Sequence, residues 1–178
     1  PNVSRKATAP ATSWIQELRF TTAFSPIPWR GPTSEGDPLG LMREFYPNAT
    51  QSWRIGYQAA LKRVRSQLTH APENAPIRLA KKTSNLFRDR AANQAAGLDV
   101  SSFGSVFEVD PVNRTAEVGG MTTYEDLVAA TLPYGLMPLC VPQLRTITLG
   151  GAVTGLGIES ASFRNGTPHE SVLEMDIL

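Results

Sequence analysis

The stretch Thr146-Ile147-Thr148-Leu149-Gly150-Gly151-Ala152-Val153-Thr154-Gly155-Leu156-Gly157-Ile158-Glu159-Ser160-Ala161-Ser162-Phe163-Arg164-Asn165-Gly166 decides how the chain is read. Five glycines lie among small and hydroxyl residues, with no lysine and one glutamate, so this backbone lets another group come close. Thr148 is placed to N-cap a helix, which would aim the amides of Leu149, Gly150 and Gly151 outward as donors for an anion, a phosphate being the obvious one. The same composition also suits a glycine-rich packing corner, and the stretch by itself leaves both readings open.

Two common phosphate motifs do not fit it. Gly150 to Gly155 has the four-residue gap of a nucleoside triphosphate loop, but Leu156-Gly157 follows where that loop needs Lys and a hydroxyl residue. A nicotinamide dinucleotide fingerprint needs a strand running into G-x-G-x-x-G. Here Gly155-Leu156-Gly157-Ile158-Glu159-Ser160 ends in Ser and no strong strand precedes it.

Outside this stretch the chain has 178 residues, enough to bury a real core, and a net charge of +1 that gives no global reason to expect a nucleic-acid partner. One cysteine, Cys140 in the apolar Leu139-Cys140-Val141-Pro142, excludes a disulfide framework and reads as a small buried hydrophobe. No run approaches the length of a membrane-spanning helix. The first sixteen residues are basic and hydroxyl-rich without Asp or Glu, so an organellar location stays open beside an intracellular one, cytoplasmic or membrane-peripheral. The chain has no initiator Met, and Val172-Leu173-Glu174-Met175-Asp176-Ile177-Leu178 reads as a strand with no following turn, so a truncated chain is expected.

Along the chain, residues 1–51 are rich in Pro, Ser and Thr, with Pro26, Pro28, Pro32, Pro38 and Pro47, and read as an irregular extension able to dock on a protein partner. Within it, Trp14, Ile15, Leu18 and Phe20 could form one short amphipathic piece. Trp53, Tyr57, Ala60, Leu61, Val64 and Leu68 then recur at helical spacing, predicting a helix from Ser52, as cap, to Leu68, within a helix-and-linker unit over 52–72. Residues 54–90 carry nine Lys or Arg against Glu73 and Asp89, which reads as a solvated face with some phosphate-facing charge, an RNA patch being the lesser reading.

Ile77 to Ala80 alternates as a short strand and leads into Lys81-Lys82-Thr83-Ser84-Asn85, either an oxyanion-binding loop or a plain polar turn. Val106–Asp110 and Thr115–Gly119 predict a hairpin around Pro111 to Arg114. Thr122 and Glu125 have capping-box spacing before a helix that Gly135 closes, and Met137 to Pro142 is extended.

Taken together, the Lys81-Lys82-Thr83 loop, Glu108-Val109-Asp110, Thr148-Leu149-Gly150-Gly151 and Gly155-Leu156-Gly157-Ile158-Glu159-Ser160, with Ser162 and Gly166, resemble a known family. This is the FAD-binding domain of the vanillyl-alcohol-oxidase and p-cresol-methylhydroxylase superfamily, with the sterol side-chain (delta-24) reductases and their actinobacterial relatives nearest. The resemblance begins at about residue 77 and leaves 1–72 unexplained. It implies an α+β fold: an incomplete two-subdomain FAD-binding domain over 73–178, preceded by the Pro-rich extension and a helix. It also implies that Lys81, Lys82, Thr83, Ser84 and Asn85 face the FAD pyrophosphate together with Thr148, Leu149, Gly150 and Gly151, while Gly155, Gly157, Ile158 and Ser160 line the dinucleotide.

Many members carry a histidine bonded to the flavin in the first loop. Lysines and Ser84 stand there in this chain, which implies dissociable FAD. His169 and His70 read as a turn residue and a surface residue. The resemblance implies a flavin-dependent oxidoreductase that moves a hydride to or from a carbon–carbon double bond of a lipophilic substrate, with reduced nicotinamide as donor. It assigns no catalytic residue, because the family's substrate-covering half has no counterpart here. The competing expectation is a non-catalytic subunit of a larger assembly, built on a truncated flavoprotein fold.

Overall fold

A computed structural model describes residues 19–26, 49–71, 77–81 and 97–177, with the side chains of the first helix from Trp53 onward. The expectation of an irregular extension over 1–51 fails at Arg19–Pro26, which forms strand β1. The physical reason is a period of two: Phe20, Thr22 and Phe24 are buried, while Arg19, Thr21 and Ala23 between them face the other side. Of the suggested amphipathic piece only Phe20 falls within the described residues.

Helix α1 (Ala49–Thr69) starts three residues before Ser52, so Ser52 lies inside it and is not its cap. Strands β2 (Arg78–Ala80) and β3 (Gly97–Asp99) pair in parallel. The hairpin forms as spaced, with β4 (Val106–Asp110) and β5 (Thr115–Gly119) antiparallel. Its turn is held by the Asp110 carboxylate, which accepts from the amides of Val112 (2.9 Å) and Asn113 (3.0 Å).

Helix α2 (Tyr124–Thr131) begins one residue later than the capping-box spacing implies. Thr123 is the N-cap, accepting from the Asp126 amide at 3.1 Å. Thr122 is fully buried, and its carbonyl accepts the Leu149 amide, so it belongs to the packing beneath the helix. Gly135, in the left-handed conformation, ends the short 3₁₀ turn that extends α2. Then follow β6 (Leu136–Pro138), α3 (Leu149–Thr154), α4 (Ser162–Asn165) and β7 (Val172–Asp176).

These elements make an α+β fold around a five-stranded antiparallel sheet in which β1 is central. β5 covers one edge of β1 over Arg19 to Ala23, and β4 lies outside β5. The other edge of β1 takes β7 over Arg19 to Thr22 and β6 over Phe24 to Pro26. One sheet face, with Phe20, Phe24, Ala116 and Val118, packs against Tyr124 and Leu127 of α2 and Leu149, Ala152 and Val153 of α3. Each large apolar side chain enclosed there contributes roughly 1.5–3 kcal/mol.

A second core forms where α1 lies on β3 and the turn after it, through Tyr57, Ala60, Val64, Leu98, Val100 and Phe103. Trp53 stacks on Phe107 of β4 with ring centroids 5.3 Å apart, so the N-terminal half of α1 reaches the sheet. The two cores close together at Gly119, where a Cβ would sit 2.1 Å from the Phe103 carbonyl oxygen and only glycine fits.

The face of the sheet opposite the first core is ionic. The Arg19 guanidinium, 12% exposed, bonds Glu117 of β5 and reaches Asp176 (2.7 Å) and Glu174 (3.2 Å) of β7. Thr21 donates to Glu117 at 2.8 Å, and the Tyr57 hydroxyl of α1 donates to Asp176 at 3.0 Å. The hydrogen bond from Arg19 holds the Asp176 carboxyl below the usual carboxylate range, against the opposing effect of partial burial.

Arg19→Met should lower stability by roughly 2–3 kcal/mol, read from the urea midpoint, because it strands three carboxylates beside one another; their partial exposure keeps the loss below that of a fully buried pair. Asp176 has a depressed native pKa, so its contribution is complete above the ordinary carboxylate pKa of about 4 and fades as pH falls through the native value. Stability measured from pH 7 down to acid should therefore fall less steeply in Asp176→Asn than in the wild type.

Candidate functional site

Thr148 caps α3 as the sequence indicates: its side chain accepts the Gly151 amide at 3.2 Å. The donors expected to face an anion are nevertheless all engaged inside the protein. The Leu149 amide bonds the Thr122 carbonyl at 2.9 Å, and the Gly150 amide bonds the Gly120 carbonyl at 2.9 Å. Leu149 and Thr148 are themselves buried, at 1% and 4% exposed. A Cβ on Gly150 would lie 2.7 Å from the Gly120 oxygen, so this glycine is there to let two backbones touch. The T-x-G-G turn thus forms a packing corner that seats α3 on the loop after β5, with the three amides expected to meet a pyrophosphate bonded within the protein.

Beyond that corner the chain comes to the surface. Gly151, Gly155, Ile158 and Ser160 are exposed, and Gly157 is half-buried. Three large apolar side chains stand in the same segment: Leu156 at 66% exposed, Ile158 at 79% and Phe163 at 92%. Leu156 has φ of 49°, a left-handed conformation that costs a residue with a Cβ about 1 kcal/mol or more. Such strain is kept where the surroundings over-determine the backbone, and here the Leu156 amide closes on Val153 (3.2 Å) and that of Gly157 on Ala152 (2.9 Å).

The exposed segment is fastened to residues 139–143 by side chains. Asn165 donates to the Leu139 carbonyl at 2.7 Å, and the Gln143 amide donates to the Glu159 carboxylate at 3.2 Å. Ser162 Oγ accepts the Glu159 amide at 3.0 Å and lies 3.3 Å from Cys140 Sγ. Cys140 is 2% exposed, a buried small residue as expected. His169 is held on Thr167 Oγ1 at 3.0 Å within a capped turn, which suits its reading as a turn residue.

Of the other expected arm, Lys81 follows β2 as an exposed residue, and Lys82, Thr83, Ser84 and Asn85 lie outside the described residues. Sequence reasoning assigned no role to Leu156 or Phe163, nor, among the fastening residues, to Gln143 or Asn165. The signal for the first two was in view, since large apolar residues set among Gly, Ser, Arg and Asn are out of place on a solvated loop. Among the described residues no group of His, Cys, Asp and Glu is disposed to hold a metal ion, and no helix is long and apolar enough to cross a membrane.

An FAD molecule has two demands, a surface for its planar apolar ring system and donors for its two phosphates. The exposed Leu156, Ile158 and Phe163 fit the first. The committed amides of Leu149, Gly150 and Gly151 do not meet the second, which leaves the phosphates to other donors.

Comparison with known proteins agrees with that partial fit. The chain is 31% identical over 65 residues to cytokinin dehydrogenase 2 of Oryza sativa subsp. japonica, covering 36% of this chain and 12% of that protein. It is 27% identical over 81 residues to a delta(24)-sterol reductase of Pisum sativum, covering 46% of this chain and 14% of that protein. A delta(24)-sterol reductase of Arabidopsis thaliana matches at 28% over 81 residues, with the same coverage. The chain thus spans only about an eighth of the length of these curated relatives. No solved structure matches it. The family described as FAD binding domain matches residues 61–178, from the middle of α1 through β7, and so takes in the two-stranded sheet, every strand of the five-stranded sheet except β1, the packing corner and the exposed apolar segment. With well over half of its residues inside that match, the chain belongs to the FAD binding domain family, and its cofactor is FAD.

Proposed function

We propose that the chain binds FAD non-covalently as the FAD-binding part of a flavin-dependent oxidoreductase, in a p-cresol-methylhydroxylase-type arrangement whose two subdomains are the two cores. The observation that carries this reading is the exposure of three large apolar side chains, Leu156, Ile158 and Phe163, within one segment that also exposes Gly151, Gly155 and Ser160; we take them as the shelf on which the flavin rests. Three large apolar side chains held in water within eight residues are favourable only when something covers them, and a flat aromatic ring system does so. Gly155, Gly157, Ile158 and Ser160 keep the role of lining the dinucleotide. Thr148, Leu149, Gly150 and Gly151 serve it by fixing where the shelf stands.

The phosphates fall to Lys81, Lys82, Thr83, Ser84 and Asn85, where two cations and two hydroxyls follow a strand. Dissociable binding is supported by the lysines and Ser84 in the first loop and by the burial of Cys140, 2% exposed. When bound, FAD accepts or delivers a hydride at its flavin ring. The match to delta(24)-sterol reductases extends over 81 residues, against 65 for cytokinin dehydrogenase 2, and it favours a carbon–carbon double bond of a lipophilic substrate, with reduced nicotinamide as the electron source.

The test is direct. Purified chain given FAD should show flavin absorbance that acid precipitation releases into the supernatant, and FAD at about a hundred times its Kd should add about 2.7 kcal/mol of stability, seen as a rise in Tm. Absence of any thermal shift would overturn the reading. Leu156→Gly separates shelf from scaffold. Removing the left-handed strain should leave apo stability equal or up to about 1 kcal/mol higher, while losing the apolar side chain weakens FAD in the same protein.

A further inference from the structure

Leu156 follows the buried Ala152 and Val153 of α3, whereas Ile158 and Phe163 lie in the segment that polar side chains fasten. Phe163 sits on the four-residue helix α4, and Ile158 lies on the irregular segment before it; both point into solvent. What sets their positions is polar, and one atom lies at the centre of it. Ser162 Oγ accepts the Glu159 amide at 3.0 Å, bracing a turn that the Ser162 amide also closes on the Glu159 carbonyl at 2.9 Å, and fastens the closed segment to the protein through Cys140 Sγ at 3.3 Å. The hydroxyl has one proton and two lone pairs, enough to serve both partners at once. The other two fastenings, from Gln143 to Glu159 and from Asn165 to Leu139, are single bonds at exposed positions on either side of it.

We infer that Ser162 is a positioning residue for the flavin: its hydroxyl couples buried Cys140 to the Glu159 turn and so holds Ile158 and Phe163 at the distance and tilt that a ring system needs. This rests on the FAD reading above. The coupling runs both ways. A ligand covering the shelf holds the segment against residues 139–143 and shields Cys140, and loosening the segment uncovers Cys140 while weakening the ligand. Cys140 is the one cysteine of the chain, so thiol labelling reads this position alone, and labelling faster than global unfolding reports local opening here.

The experiment uses the full 178-residue chain and FAD, with a thiol-labelling reagent as reporter. FAD should slow the labelling of Cys140 in the wild type. Ser162→Ala should label faster without ligand, bind FAD about tenfold more weakly, as expected for the loss of two hydrogen bonds, and change the visible circular dichroism of the bound flavin. Ser162→Thr, which keeps the hydroxyl, should restore all three. A residue that merely stabilises the fold would shift the apo Tm and leave the flavin spectrum unchanged. Should Ser162→Ala fail to fold, Cys140→Ala removes the partner of the hydroxyl and should give the same change in flavin spectrum with a smaller loss of affinity. Wild-type affinity and wild-type flavin dichroism in the folded variant would overturn the role of Ser162 while leaving FAD binding in place. A wild type that binds no FAD would overturn both.

Discussion

Everything on the ionic side of the sheet converges on one guanidinium. Arg19 lies opposite both Gly119 of β5 and Asp176 of β7, so its side chain stands where carboxylates from both neighbouring strands meet. Glu117, Glu174 and Asp176 would repel one another at this spacing. A planar cation with five donors lets them coexist and turns the repulsion into a cross-strand clamp. The Tyr57 hydroxyl joins the same cluster through Asp176, with burial pushing its pKa up so that it stays a donor, and this ties α1 to the sheet. The apolar face of β1 supplies most of the burial energy, but Phe20 and Phe24 are non-directional. The clamp is what fixes the register of β1 against both neighbours.

The second constraint is backbone proximity. Gly119 lets the turn at Phe103 lie on β5, and Gly150 lets α3 lie on the loop after β5, so one short stretch, residues 119 to 122, receives close contacts from both cores. The exposed shelf is built outward from there: the corner fixes α3, α3 fixes the left-handed Leu156, and the polar fastenings carry the chain on through Ser162. Affinity for a flat ligand at such a shelf depends on how little it must be rearranged on binding.

The elements that announced themselves in the sequence were those whose signals are local. The β4–β5 hairpin, the Thr148 cap, the Gly135 ending and the β7 strand all rest on residues a few positions apart. β1 was illegible for the opposite reason. Its buried row has Thr22 between Phe20 and Phe24, it ends at Pro26, and the partners that make it a strand lie at residues 115–119, 136–138 and 172–176. The same limit governs the site. Sequence shows that Leu149, Gly150 and Gly151 have amides at a helix start, but it cannot show that the carbonyls of Gly120 and Thr122 have already taken two of them. Phe163 and Leu156 were legible as misplaced apolar residues and were overlooked beside the glycines.

The central place of β1 also has a consequence in time. The bond from Arg19 to Asp176 joins residues 157 positions apart, and β1 meets β7 only when that far strand exists. A ribosome delivers these pieces in order, so the strand destined for the middle of the sheet waits as an alternating segment with two open edges until residues 115–119 are made, and with one edge only partly covered until residues 172–176 follow. Such a topology raises contact order and slows folding, and it leaves an early segment exposed to wrong partners until a late one arrives. The fold is therefore sewn shut from its beginning, by a thread that must be kept loose until the cloth is finished.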